Sequence, residues 1–478
     1  MRSLRILAPV RLTDARQSGG NIRMRRTAFA IAFFAVILEL AISGNTLTDM
    51  GIDYASPGGN PLIKLHPATY LLFLSTFIIL MLARPAGSGL IRLFRSTPAL
   101  ASFIVLITFC AFYSIVNVGF SGAAIYVESY LSAGLLAVAL EFGTDRQKRA
   151  LAWWIIGFCL LSSIIAIGES ATQTHLITLH IGEDSSAKEI AQQAEDFRGS
   201  GLFGHPLTAA LITSMAMFLL LRMRMNGLLK AALFTTFLIG MLSFGGRAAL
   251  LITVAMLAVT AVVVILRGIV MRNLSIGFVG VVTSAVLILP LLLLLVTSST
   301  DIGERILTHM YLDESASVRN EQWLVLNYLN LHDVLFGVPP FRLASLKYQI
   351  GLGQATTDIE NFWLLMFLNL GAIGFAVFLI ALGLFLAYLG RTTAHPLGWM
   401  LLIAAILVDS TSNSLGRKSA DLFFMVACMI AMTGYPRSVP AFSIRRQTIT
   451  SLRRTSDRRT SQQLGVHPSH ANLAGLKS

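Results

Sequence analysis

The amino-acid sequence predicts an all-α, polytopic integral membrane protein with about twelve transmembrane helices and a large loop outside the bilayer. The residues are 55% hydrophobic and only 13% charged, a balance too apolar for ordinary soluble domains. Apolar runs of about 17 to 25 residues recur along the chain, which is the length needed to cross a hydrocarbon core of roughly 30 Å. The basic residues are also distributed unevenly between alternate loops, as membrane topology requires.

Each apolar run is interpreted as one span, and two runs need a further decision. Residues 230–266 form one apolar block broken by Gly245, Gly246 and Arg247, which predicts a hairpin tip between two helices. The run 361–389 is long enough to begin with an interfacial turn before it crosses. The predicted spans are 27–43, 66–83, 99–119, 124–142, 151–169, 206–222, 230–244, 248–266, 274–296, 364–389, 397–411 and 420–435.

Lysine and arginine positions predict the orientation of these spans. With the N-terminus in the cytoplasm, the cytoplasmic segments carry 27 of the 37 lysines and arginines, as the positive-inside rule demands. The chain then divides into a basic cytoplasmic leader (1–26), a transmembrane domain (27–435) and a basic, disordered cytoplasmic tail (436–478). Two long loops, 170–205 and 297–360, lie outside.

This distribution explains the net charge of +13 without a nucleic-acid partner. The basic tail is interpreted as an anchor to anionic lipid, because juxtamembrane clusters of Lys and Arg bind such surfaces. Cys110, Cys159 and Cys428 all lie inside apolar runs and are expected to act as small hydrophobes. The sequence therefore predicts no disulfide, no metal site and no cofactor.

Both outer loops contain amphipathic patterns. In the first loop, Ser186 and Glu189 form a capping box before a short helix that ends near Phe197. In the second, the stretch "SVRNEQWLVLNYLNLHDVLFG" (317–337) predicts one helix whose apolar residues and Trp323 suit a membrane interface.

Three arginines fall at the outer membrane surface in this topology. Arg198 ends the helix of the first loop, Arg247 caps the hairpin tip, and Arg319 starts the helix of the second loop. A guanidinium matches phosphate oxygens in a bidentate manner and stays charged at any relevant pH. Each arginine could also simply extend to lipid head groups. Three on the sparsely basic side favour a shared anionic ligand.

Four motifs resemble the O-antigen polymerase and O-antigen ligase superfamily, over about residues 195 to 390 and in the family's order. The first is "RGSGLFGHP", which is similar to the family's R-x-x-G-x-x-x-[NH]-P element. The others are "SFGGRAALL", "RNEQWLVLNYLNLHDVLFGVPP" and "ENFWLLMFLNLGAIGFAVFL". The resemblance implies a bacterial inner-membrane enzyme with both termini cytoplasmic and its large loop periplasmic. Its implied substrate is a glycan repeat unit on undecaprenyl pyrophosphate, with a chain-length regulator and a flippase as candidate partners.

The resemblance also implies a reaction. Pyrophosphate is a good leaving group, so the site needs charge stabilisation, whereas the acceptor hydroxyl needs a base. Glu360, with Asn361 beside it, occupies the position of the family's H-N pair, and His205 is the other candidate base. This chain has Glu360 where the family's ligases have a histidine. The difference favours polymerisation over ligation. Asp358 and Glu360 could touch a divalent ion, but a third ligand is lacking.

A flippase or other secondary transporter is the alternative from another class. Such a protein should show repeated halves and ionisable groups near the bilayer midplane. Glu39 and Glu128 fall within predicted spans, although both are near the outer side. The halves are not visibly similar, and the sequence therefore favours the glycan enzyme.

Overall fold

A computed structural model shows a helical protein. It describes residues 19–52, 54, 64–81, 88–177, 197–270, 322–350, 359, 361–393, 395–412 and 418–435, and these contain no β-strand. The helices among them are α1 (Gly19–Ala41), α2 (Gly44–Asp49), α3 (Pro67–Met81), α4 (Ser88–Ser96), α5 (Pro98–Val118), α6 (Phe120–Ile125), α7 (Ser132–Glu141), α8 (Asp145–Thr172), α9 (Pro206–Arg222), α10 (Gly227–Ser243), α11 (Arg247–Val270), α12 (Leu331–Phe336), α13 (Pro340–Gln349), α14 (Phe362–Thr393), α15 (Pro396–Ser412) and α16 (Asp421–Thr433).

Helices coincide with the predicted spans wherever the structure describes them, and the span 274–296 lies outside the described residues. Four stretches are long and apolar enough to cross a membrane: Pro98–Asn117, Gly122–Glu141, Asp145–Thr172 and Phe362–Thr393. Among the described residues, shorter apolar stretches of 10–17 residues lie in α3, α9, α10, α11, α15 and α16. The described chain is thus all-helical, with four helices that could each span a bilayer.

The centre of the bundle is formed by helices that are apolar on every side. All residues of α7 from Ser132 to Leu140 are buried, and so are all residues of α16 from Asp421 to Met432. A helix that is hydrophobic all round belongs in an interior. Outside this centre, α5 and α14 pack together through Phe103 and Phe385, whose stacked rings lie 4.0 Å apart.

The predicted hairpin tip is confirmed. Helix α10 ends at Ser243 and α11 begins at Arg247, with Gly245 between them at a φ of 67°. That left-handed conformation is easy for glycine and strained for other residues, so the glycine pair allows the chain to reverse here.

The helix that covers the 361–389 run contains a break inside the predicted span. Helix α14 is interrupted at Gly371, where φ is 62° and ψ is 178°. The chain at Gly337 passes directly beside this break. The next residue, Val338, donates its amide to the Leu368 carbonyl at 2.6 Å. A Cβ on Gly371 would lie 2.5 Å from the Gly337 nitrogen. The two glycines therefore permit a close backbone crossing.

The expectation of one helix over 317–337 is wrong for the part that the structure describes. A 3₁₀ helix covers Gln322–Tyr328, and α12 starts separately at Leu331. Asn330 and Asp333 form a reciprocal capping box between the two. Side chains that satisfy the first amides of a helix favour a new helix start over continuation.

The chain divides after Tyr435 into Met1–Tyr435 and Pro436–Ser478. The tail, the leader before Gly19 and the helix expected from Ser186 onward all lie outside the described residues.

Candidate functional site

The segment that carries Arg198 bends back into the bundle. We call residues 197–204 the Arg198 turn. Its 3₁₀ helix, Gly201–Phe203, packs against α1, α8 and α9. Phe203 lies edge-to-face with Phe158 and Phe424, at ring distances of 5.5 and 6.5 Å. These ring contacts hold the Arg198 turn against α8 and α16.

Glu169, in the last turn of α8, holds this segment by its backbone. Its Oε2 accepts hydrogen bonds from the Ser200 and Gly201 amides at 2.7 and 2.9 Å. Its Oε1 accepts from the Leu176 amide at 2.8 Å. The side chain is buried, with 4% of its surface exposed. One carboxylate thus links the end of α8 to the backbone near both ends of the predicted first outer loop, 170–205.

Glycine is required at two points of the Arg198 turn. Gly201 has a φ of 55°, and a Cβ there would lie 2.4 Å from the Ser162 Oγ and 2.6 Å from the Ser162 carbonyl oxygen. Gly204 has a φ of 70°, and its carbonyl accepts from the Asn45 Nδ2 at 2.7 Å. The motif "RGSGLFG" therefore owes its glycines to close packing on α8 and on the start of α2.

The Arg198 turn also contacts the hairpin tip. We call residues 243–247 the Arg247 turn. The Gly199 amide donates to the Ser243 carbonyl at 2.9 Å. A Cβ built on Gly245 would lie 3.1 Å from the Cγ and Cδ of Arg198. Arg198 and Arg247 are both half-buried, so the structure brings together the turns that carry two of the three arginines.

The other sequence-predicted residues have different surroundings. His205 is exposed at the N-cap of α9, and its side chain makes no capping hydrogen bond. Asn361 is the residue before α14, and its Oδ1 accepts from the Leu364 amide at 3.0 Å. Hydrogen-bond donation by its side chain is then left to Nδ2. Arg319 and Glu360 lie outside the described residues, as does Asp358.

His175 borders the Arg198 turn. Its ring stacks on Phe197 at 4.3 Å, and its Nδ1 lies 4.0 Å from Glu169 Oε2. Partial burial lowers the pKa of His175 from the ordinary value of 6.5, although the charge of Glu169 acts in the opposite direction. The imidazole is therefore mainly neutral at pH 7.

A second polar group of side chains lies inside the bundle. We call Glu39, Tyr54, His66, Glu128 and Lys418 the Glu128 network. The Tyr54 hydroxyl donates to Glu128 Oε1, which also accepts from the His66 amide at 3.3 Å.

The ring nitrogens of His66 extend this network. Nδ1 lies 2.6 Å from Glu39 Oε2, and Nε2 lies 2.9 Å from the Ile42 carbonyl. Lys418 donates to the Tyr54 carbonyl at 3.1 Å, and its ammonium lies 4.8 Å from the centre of the Tyr54 ring. Burial, followed by the nearby charge of Glu128, raises the pKa of Tyr54 well above its ordinary value, so the phenol stays protonated and can donate.

A local irregularity accompanies this network. Glu128 lies in a π-helical turn, Tyr126–Leu131, between α6 and α7, and such turns are frequently found at functional sites. Sequence reasoning missed Glu169, His66 and Lys418 as partners. The available signal was an acidic residue inside an apolar run, which is a reason to look for a partner.

Two half-buried arginines thus lie on turns that are in contact, and a carboxylate orders the backbone of one of these turns. Within the described residues, no three His, Cys, Asp or Glu side chains are placed to hold a metal ion. The fold defines a helical membrane protein with a polar site at one end of its helices. No protein-family model, curated protein or solved structure matches the chain.

Proposed function

We propose that this protein polymerises glycan repeat units carried on undecaprenyl pyrophosphate, at the periplasmic face of a bacterial inner membrane. The observation that carries the proposal is the contact between the Arg198 and Arg247 turns, made by Gly199 with Ser243 and by Arg198 with Gly245. Two guanidinium groups from distant parts of the chain can then act on one pyrophosphate. Arg319 is the proposed third donor.

In the proposed reaction, an acceptor sugar hydroxyl attacks the anomeric carbon of the donor. The new C–O bond forms as the bond from that carbon to the pyrophosphate oxygen breaks, and the electron pair leaves with the lipid pyrophosphate. The arginines stabilise this developing charge. Glu360 or His205 accepts the hydroxyl proton, and Asn361 orients the base or the sugar through Nδ2. Direct displacement inverts the anomeric centre.

The proposed topology has twelve spans and both termini in the cytoplasm, with 170–205 and 297–360 in the periplasm. Reporter fusions that are active only after export should therefore be active in those loops and inactive at residue 450. Activity of an exported reporter at residue 450 would reverse the scheme.

The arginine roles are tested by lysine substitution. Lysine keeps the charge and loses the bidentate fork, so Arg198→Lys, Arg247→Lys and Arg319→Lys should each slow turnover of lipid-linked repeat units about a hundredfold, or 2 to 4 kcal/mol. Arg149→Lys is the matched control, because Arg149 donates to the Gly434 carbonyl at 3.0 Å and an ammonium can make the same bond. Normal turnover in all three lysine variants would show that the arginines are lipid anchors.

Ligation of the glycan to another acceptor is the nearest alternative chemistry. Product analysis separates the two, because a polymerase yields lipid-linked glycans of increasing length. A ligase instead transfers the glycan from its lipid carrier to the second acceptor, so the lipid-linked glycan does not become longer.

Transport is a second candidate function, and the Glu128 network favours it. Ionisable groups within a membrane helix bundle commonly mark the path of an ion or substrate. Purified protein in vesicles distinguishes the two functions. A transporter moves the lipid-linked saccharide between leaflets at constant length, whereas a polymerase lengthens it.

A further inference from the structure

The position of Glu169 is unfavourable for a carboxylate in two respects. It lies in the last turn of α8, which ends at Thr172, and the C-terminal end of a helix carries partial negative charge. It is also buried, and burying a charge is costly unless hydrogen bonds compensate. The amides of Leu176, Ser200 and Gly201 provide that compensation.

The hydrogen bonds of Glu169 connect segments that the sequence separates. Gln173 has a left-handed backbone with a φ of 54°, and it turns the chain so that the Leu176 amide reaches Oε1. The consecutive amides of Ser200 and Gly201 both point at Oε2. Consecutive amides of this kind commonly bind anions, and here the anion is the protein's own side chain. These two amides are therefore occupied by the protein's own carboxylate and do not bind a substrate phosphate.

We propose that Glu169 is a positioning residue: it holds the Arg198 turn in its folded conformation and so sets where the Arg198 guanidinium lies. Its importance for turnover rests on the proposed function. Arg198 precedes the bonded amide of Ser200 by two residues, and its stem lies against Gly245 on the other side. Glu169 has no direct part in the chemistry, because its oxygens are occupied by backbone amides and its surface is closed to a substrate.

Hydrogen exchange of full-length protein in detergent tests the structural part without any substrate. In Glu169→Gln, a carboxamide NH₂ replaces one acceptor oxygen and meets an amide donor. The amides of Leu176, Ser200 and Gly201 should then exchange about tenfold faster or more, since hydrogen bonds to charged groups are the stronger ones. Glu141→Gln is the matched control, because this buried carboxylate accepts from the Tyr388 hydroxyl at 2.9 Å and is remote in sequence from the turn. Unchanged exchange at residues 197–204 in Glu169→Gln would overturn the proposal.

Turnover of a purified lipid-linked repeat unit tests the link to Arg198. Glu169→Gln should lower kcat about tenfold, and Glu141→Gln should leave it unchanged. The Glu169→Gln change should have little further effect in an Arg198→Lys background, because residues that act through one group are not additive. Full additivity would show that Glu169 supports the fold in general and would overturn its positioning role.

The two experiments separate this inference from the proposed function. If wild-type protein does not lengthen the repeat unit, the proposed function fails and hydrogen exchange alone decides whether Glu169 holds the turn. If wild-type protein is active and both exchange and kcat are unchanged in Glu169→Gln, the positioning role fails while the proposed function stands.

Discussion

Two buried glutamates, Glu169 and Glu128, are held in contrasting ways. Glu169 accepts from three backbone amides near the two ends of the predicted first outer loop, 170–205. Glu128 accepts on one oxygen from the Tyr54 hydroxyl and the His66 amide, and within the described residues its Oε2 has no hydrogen-bond partner. The first carboxylate therefore orders loop backbone, whereas the second joins the Tyr54 side chain and the His66 backbone to the π-helical turn Tyr126–Leu131.

This difference affects what each region can do. The Arg198 turn is held through its backbone amides by Glu169 and by the Ser243 carbonyl, and Arg198 on this turn is half-buried. In the Glu128 network the ionisable side chains bond mainly to one another or to nearby backbone, which stabilises the packing of the segments that carry them. Under the proposed polymerase function, the chemistry lies at the Arg198 turn and the Glu128 network has a packing role. The alternative of transport would instead place an ion or substrate path at the Glu128 network.

Among the variants that test this contrast, Gly201→Ala should lower the free energy of unfolding the most. A methyl group would collide with the Ser162 backbone and Oγ, and the φ of 55° is strained for alanine. The combined cost should be about 3 kcal/mol, and thermal unfolding in detergent measures it. Gly157→Ala in the same helix as Ser162 is the control, since nothing lies within 4 Å of a Cβ there. Equal stability of the two variants would show that the turn does not pack as described.

Glu128→Gln should have a smaller effect. The amide oxygen can still accept from Tyr54 and His66, but the charge beside Lys418 is lost, so the free energy of unfolding should fall by about 1 to 2 kcal/mol. Turnover should stay within about twofold of wild type. If turnover is lost in a Glu128→Gln variant that remains folded, the Glu128 network takes part in the reaction, and the proposed difference between the two regions is wrong.

Asn361 provides another test of a polar group that holds backbone. Asn361→Ala should cost about 1 kcal/mol through loss of the cap on α14, and Asn361→Asp should restore it because aspartate caps equally well. Chemical denaturation measures both. If Asn361→Asp is stable and nevertheless inactive, donation by Nδ2 to the base or sugar is required as well.

His175 should have the smallest effect, which is a contribution to the pH dependence of stability. Its pKa in the folded protein is below the ordinary value of 6.5, so the unfolded chain binds more protons at pH values between the two. Stability should therefore rise with pH through that window and fall as pH drops below about 6.5. His175→Phe keeps the ring stacking on Phe197 and should flatten this part of the melting temperature profile. If the slope is unchanged in His175→Phe, another group causes this pH dependence.

Much of the architecture could be predicted because it depends on local composition. The apolar runs marked helices, and the glycine pair at 245–246 marked the reversal between α10 and α11. The arginine motifs identified two turns that the structure brings into contact. The single helix expected over 317–337 was wrong because the Asn330–Asp333 capping box starts a new helix, and its two side chains compete with the apolar periodicity.

The sequence by itself determined which segments are helical and apolar, because insertion in lipid depends on the sum over about twenty adjacent residues. It also determined where glycine allows the chain to turn. Only the tertiary structure decided the partners: Glu169 bonds to Ser200 across 31 residues, Gly337 crosses Gly371, and Lys418 reaches Tyr54. Such contacts depend on which helix ends lie side by side, and local periodicity carries no information about that arrangement.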